Sequence, residues 1–266
     1  MTPLSFVKME GTGNDFILLD LRRGRFTGSL PRLARQLCRR SRVGADGVLT
    51  VEPSRRADVR MRVINPDGSE AEMCGNGARC VALYAAHGLG RRHVAIETKA
   101  GVVHAHARST RRVRVTLPAP SVVRVQRLTA LGRPLTVHRI NVGVPHAVLF
   151  VPVVRRADVR TLGPAIRRHR AFRPAGTNVD FVEVLNAHAV RLRTYERGVE
   201  AETQACGTGA VAAALVAAHL GRCRSPVTAY PASGERLTVR FHAAGDAWRD
   251  VSLEGEVRRV FEGVLS

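Results

Sequence analysis

The 266-residue sequence has almost no lysine: Lys8 and Lys99 stand against forty arginines. This bears on chemistry, because a pyridoxal phosphate enzyme needs a lysine for its Schiff base. Lys8 falls in an N-terminal strand pattern and Lys99 in the turn "ETKAG", and neither has a phosphate-cradling loop beside it. Aromatic residues make up only 5%, which leaves little for stacking nucleobases. No run approaches the roughly 18 consecutive apolar residues of a membrane span, and "MTPLSFVKME" lacks the apolar core of a signal peptide. A soluble, cytoplasmic protein with no membrane partner is expected. The five cysteines are odd in number and irregularly spaced, which fits reduced thiols rather than a disulfide framework.

Acidic residues are also few, 22 against 42 basic ones, for a formal charge of +20. The arginines are scattered in pairs such as Arg22–Arg23, Arg111–Arg112 and Arg167–Arg168, with no single basic block. No helix-turn-helix, zinc-finger or RNA-recognition signature accompanies them. The charge therefore reads as a solvated, Arg-rich surface, and no specific nucleic-acid partner is expected. A positive field still favours the approach of an anionic small molecule.

With 45% hydrophobic residues, the chain can build a sizeable core, as one large domain or two small ones. An internal repeat favours two. "MCGNGARCVALYAAHGLG" begins at Met73 and "ACGTGAVAAALVAAHLG" at Ala205, each a Cys-Gly-polar-Gly-Ala start to an Ala-rich helical pattern. Three further stretches match at offsets near 130 residues and in the same order. "GTGNDFILLD" aligns with "NVGVPHAVLF", "VGADGVLTVE" with "AGTNVDFVEV", and "VINPDGSEAEMCGNG" with "TYERGVEAETQACGTG". "TLPAPSVVRV" lies between the halves and reads as a linker. "RRVRVTL", "VRLRTYE" and "RLTVRF" alternate with the period of half-buried strands. "VAAALVAAHL" is apolar on every face, so that helix is expected to be buried all round.

The predicted fold is α+β: two pseudo-symmetric, strand-rich domains, each a curled sheet around a central buried helix. The N-terminal domain is placed at 1–120, with the tail at about 256–266 packing back on it, and the C-terminal domain at 121–255. Each central helix begins at a cysteine, Cys74 or Cys206. Free amides in the first turn of a helix stabilise an anion, so a thiol there is expected to have a lowered pKa. The same amides can hold a carboxylate whose charge grows as the neighbouring carbon loses its proton. Two such ends facing one carbon suit inversion of a stereocentre, with one thiolate removing a proton and the opposite thiol supplying another.

The stretches "KMEGTGNDF", "NPDGSEAE", "MCGNGARC", "YERGVEAETQACGTGA" and "VFEGVL" resemble the diaminopimelate epimerase family, from Lys8 nearly to the C-terminus. The resemblance implies cofactor-free and metal-free conversion of LL- to meso-2,6-diaminopimelate, on the route to lysine and peptidoglycan, by a homodimer whose domains close over the substrate. It makes Cys74 and Cys206 the acid/base pair. It assigns the reacting carboxylate to the amides of Gly75–Asn76 and Gly207–Thr208. Asn14, Asn65, Asn178, Glu196 and Arg197 are then expected to hold the rest of the substrate, and His146 and Glu196 to tune the cysteine pKa values. Three features depart from the family: Gly47 where some relatives have Gln, Val144 where many have Asn, and one residue more between Glu196 and Cys206 than in some members. These touch recognition of the distal end and leave the cysteines intact.

Other residues read more plainly. Cys38, Cys80 and Cys223 lack the glycine-rich setting and are expected to be buried thiols. His87 suits the C-terminal dipole of its helix, and His104 and His106 are strand-surface residues with no third ligand nearby. Two other functions stay open at this level. One is racemisation of another amino acid, such as proline or histidine, on the same scaffold; the other is an Arg-rich nucleic-acid binder.

Overall fold

The structure, a computed structural model, describes residues 4–24, 26–245 and 247–265. It divides into two units: one holds the chain up to Thr116 together with the segment from Glu254 onward, and the other is Leu117–Leu253. In the first, strand Leu4–Gly11 pairs antiparallel with both Arg258–Leu265 and Asn14–Asp20. Asn14–Asp20 runs parallel to Gly47–Glu52, which is antiparallel to Val59–Ile64. That strand takes Glu70–Ala71 antiparallel and His93–Thr98 parallel, and Gly101–Ala107 and Arg112–Thr116 complete a meander.

The second unit repeats this succession. Arg124–Ala130, Arg133–Asn141 and Pro145–Phe150 are antiparallel neighbours, and Pro145–Phe150 runs parallel to Asn178–Asn186. Asn178–Asn186 is antiparallel to Ala189–Glu196, which takes Ala201–Thr203 antiparallel and Val227–Tyr230 parallel. Leu237–Ala244 then pairs antiparallel with Val227–Tyr230. The sequence repeat is thus a repeat of strand pairing, step for step.

Each parallel pair needs a crossover, and the four α-helices among the described residues supply them. These are α1 (Leu30–Leu37), α2 (Gly75–Leu89), α3 (Val159–Arg167) and α4 (Gly207–His219). Helix α1 covers one sheet face of the first unit, where Leu30, Ala34 and Leu37 pack with Ile17, Leu19, Val48 and Ile64. Helix α3 does the same in the second, through Val159, Leu162 and Ile166 against Val179, Phe181 and Tyr195. Helices α2 and α4 occupy the other face. Helix α2 touches strands that lie far apart in the sheet order, Leu4–Gly11 and Arg112–Thr116, so the sheet curls around it. Helix α4 is buried from Gly209 through Ala217, and alanine is the side chain that permits so close an approach from every side.

Candidate active site

Cys74 and Cys206 are the N-caps of α2 and α4. Both have extended backbone, with φ −137° at Cys74 and −114° at Cys206. Each sulfur does the work usually given to a serine or aspartate oxygen: Cys74 Sγ accepts from the Gly77 amide at 3.4 Å, and Cys206 Sγ from the Gly209 amide at 3.3 Å. The remaining first-turn amides, including those of Gly75–Asn76 and Gly207–Thr208, need a partner from outside the helix, as an anion supplies.

The third glycine of each motif lets the helix approach its sheet. A Cβ at Gly77 would lie 2.8 Å from Leu49 Cδ2; one at Gly209 would lie 2.5 Å from Asp180 Oδ1 and 3.0 Å from Thr194 Oγ1. Helix propensity alone favours Gly→Ala by up to about 1 kcal/mol. At Gly209 the clash wins, because the carboxylate it meets is fixed by other bonds. Gly209→Ala is expected to lower stability by about 1–3 kcal/mol. Gly77→Ala, which meets only the mobile end of a leucine, costs less. Thermal unfolding of the two variants side by side checks the order.

The Cys74 half-site is built around side-chain amides. Asn76 is buried and donates to Asn14 Oδ1, while Asn14 Nδ2 donates to Asp46 Oδ2 at 3.0 Å. Arg79, fully buried one turn along α2, donates to Asn76 Oδ1 at 2.9 Å and to Thr12 Oγ1 at 2.7 Å. These bonds fix both Asn14 and Asn76. Asn65 sits in the turn after Val59–Ile64 and donates to Ser69 Oγ at 3.0 Å. Lys8 is buried and bound to the Gly44 carbonyl and the Asp15 carboxylate, so its amine is engaged.

The Cys206 half-site is different. Thr208 Oγ1 lies 3.4 Å from Cys206 Sγ and 3.0 Å from His146 Nε2, and His146 Nδ1 lies 2.7 Å from Asp180 Oδ2. Thr194 donates to Asp180 Oδ1 at 2.8 Å. Asn178 Oδ1 accepts from the Arg197 amide at 2.7 Å, and its Nδ2 lies 3.4 Å from His146 Nε2 and donates to the Pro145 carbonyl at 3.3 Å. Glu196 accepts from Thr203 Oγ1 at 2.9 Å. Among the described residues, the half-buried Arg197 guanidinium has no carboxylate partner, so it remains open to one on a ligand.

The expectation of a lowered thiol pKa does not hold at Cys206. Burial pushes that thiol well above the ordinary range, and the Glu196 and Asp180 carboxylates push the same way. The Thr208 hydroxyl and Gly209 amide oppose them without prevailing. The helix end contributes, but desolvation is larger, so Cys206 is held as the thiol. The incidental cysteines are buried, and burial pushes Cys38 up to about 11 and Cys80 and Cys223 upward as well. His104 is exposed, and His106 stacks on His93 with ring centroids 4.0 Å apart. Among the described residues no cluster of three metal-ligating side chains forms, and no helix is long and apolar enough to cross a membrane.

Sequence reasoning passed over Asp180, Thr194, Thr12, Arg79 and Asp46. The signal for Asp180 was present, since it interrupts the apolar run "NVDFVEV" where the repeat partner in "DGVLTVE" has valine; the strand ladders shift the pairing by one residue and equate Asp180 with Leu49.

A family model described as "Diaminopimelate epimerase" matches residues 6–123 and 139–260. The diaminopimelate epimerase of Moorella thermoacetica is 43% identical over 280 aligned positions, covering 98% of this chain and 98% of the relative. That of Aquifex aeolicus is 40% identical, covering 99% of this chain and 98% of the relative. Among solved structures, a phenazine biosynthesis protein of the PhzF family from Bacillus anthracis superposes with a TM-score of 0.76 at 16% identity, covering 100% of both chains. A hydroxyproline epimerase from Agrobacterium vitis gives 0.71 at 18% identity, covering 100% of this chain and 91% of the other. At such identities these two establish the two-domain, strand-rich fold and nothing further.

Proposed function

We propose, from the premise that the chain belongs to the diaminopimelate epimerase family, that it interconverts LL- and meso-2,6-diaminopimelate by cofactor-free proton transfer at one α-carbon. The observation that carries the reading is the pair of cysteine N-caps, one at the head of the central helix of each duplicated unit. In the reaction one sulfur takes the α-proton: the C–H bond breaks, an S–H bond forms, and the electron pair passes into the carboxylate. The other sulfur then gives its proton to the opposite face of the carbon. The first-turn amides of α2 and α4 stabilise the enediolate charge, which is greatest midway between the two transfers. Burial holds Cys206 as the thiol before substrate binds; each sulfur then serves as the base in one direction of the interconversion and as the acid in the other.

The second ammonium and carboxylate of the substrate fall to Asn14, Asn65, Asn178, Glu196 and Arg197. A carboxylate on Arg197 and an ammonium on Glu196 pair opposite charges through directed hydrogen bonds. The reading extends to a cytoplasmic homodimer. Val260, Phe261 and Val264 expose apolar side chains on the strand Arg258–Leu265, which supports self-association; light scattering of the purified chain tests it.

The deciding experiment is incubation with LL-diaminopimelate in D₂O under reducing conditions, with proline and histidine as controls. Deuterium is expected at the α-position together with meso product, and none in the controls. Exchange into proline or histidine and none into diaminopimelate would move the chain to another amino-acid racemase.

A further inference from the structure

The two units fill the same place beneath their cysteines in opposite ways. The strand rungs equate Phe16 with His146, since these pair with Gly47 and Asn178 in the corresponding parallel ladders. The next ladders pair Leu49 with Val63 and Asp180 with Thr194. The glycine contacts agree, because Gly77 abuts Leu49 where Gly209 abuts Asp180. All six side chains are buried. Phe16, Leu49 and Val63 form an ordinary apolar filling. The second unit instead installs His146, Asp180 and Thr194, bonded to one another and to Thr208. The fold tolerates the apolar solution, and burying a carboxylate and an imidazole is costly. The polar set therefore has a use apart from holding the fold.

We infer that Asp180 is a positioning residue that makes His146 and Thr208 a proton relay for Cys206. This rests on the two-cysteine reading above. Asp180 Oδ2 fixes the His146 proton on Nδ1, leaving Nε2 to accept from the Thr208 hydroxyl, whose oxygen in turn accepts from the Cys206 thiol. When Cys206 discharges, its S–H bond breaks and a new O–H forms on Thr208; the old Thr208 O–H breaks and N–H forms at His146 Nε2. The imidazolium is then stabilised by the Asp180 carboxylate, and the Thr208 hydroxyl points at the thiolate. Asn178 Nδ2 keeps its bond to the Pro145 carbonyl during the change. The other carboxylate facing Cys206 is Glu196, from the strand Ala189–Glu196. By contrast, the Cys74 half has no such relay at the equivalent positions, so the duplicated cysteines are chemically unequal.

The test is the rate of iodoacetamide alkylation of Cys206 at neutral pH in substrate-free protein, resolved by peptide mass spectrometry. Removing the Asp180 charge has opposite consequences under two accounts. If Asp180 acted on Cys206 only as a nearby negative charge, Asp180→Asn would speed alkylation. As the anchor of the relay, its loss leaves the imidazolium unsupported, and alkylation slows at least tenfold, about one pKa unit. Cys38, Cys80 and Cys223 report the fold in the same sample, because they are labelled only if it opens. An Asp180→Asn protein labelled at Cys206 as fast as the wild type or faster, with those three protected, overturns the relay. If that variant unfolds, Thr208→Ser and Thr208→Val decide: a tenfold slower reaction in the valine variant alone supports the relay, and equal rates overturn it. Because no substrate is involved, these outcomes are independent of the deuterium experiment.

Discussion

Replacing Cys206 with alanine is expected to reduce kcat/KM for epimerisation by about 10³-fold or more, in both directions, while the protein stays folded. Its sulfur is the only group at that position able to exchange a proton with carbon, and the first-turn amides are positioned to stabilise charge, not to move protons. The structural loss is modest. Alanine forfeits the cap bond to the Gly209 amide, a loss of about 1 kcal/mol, against a typical domain stability of about 5–15 kcal/mol. Cys74→Ala should behave the same way, losing the bond to Gly77. Serine separates capping from chemistry, since its oxygen caps the helix well but ionises far too weakly to act as the base. Steady-state rates in both directions, with melting temperatures of the alanine and serine variants, give the comparison. An alanine variant that keeps the wild-type rate removes that sulfur from the mechanism.

Arg197→Met is expected to lower kcat/KM by about 10²-fold, mostly through KM. A carboxylate bound by the guanidinium fork gains two charge-assisted hydrogen bonds, each contributing about 1.5–3 kcal/mol, and methionine supplies neither. The backbone of Arg197 is held by Asn178, so the guanidinium is presented from a fixed point. Arg197→Lys should fall between, since an ammonium keeps the charge but not the planar fork. The reacting sulfurs are untouched, so kcat at saturating substrate should change far less than KM. An unchanged KM in the methionine variant would show that the distal carboxylate is held elsewhere.

Much of this was legible along the chain. Two cysteine-led helices, three further stretches in register and the all-apolar "VAAALVAAHL" predict a duplicated fold with buried central helices. Helix α4 is buried as its composition demands. The cysteines are recognisable because a cap is a local device, read from a few neighbouring residues. Gly47, noted only as a departure, takes on meaning from the ladders: it lies at the rung of Asn178 in the other unit, and a Cβ there would lie 3.1 Å from the Ile64 carbonyl.

What the sequence by itself determined is the repeat, the placement of a thiol at each helix start and the family. Each depends on spacing and local backbone preference. The tertiary structure alone decided how the two thiols differ. "NVDFVEV" does not show whether Asp180 faces solvent or the floor of a half-site, because that depends on which strand and which helix pack over it. Once α4 and the strands carrying His146 and Thr194 close around it, Asp180 must be bonded on both oxygens to be tolerated. The same closure desolvates Cys206 enough to outweigh the helix end. Helix-end electrostatics is set by immediate neighbours, whereas desolvation is set by segments distant in the chain, such as the strand carrying His146, 62 residues before Thr208, and only the folded chain brings those together.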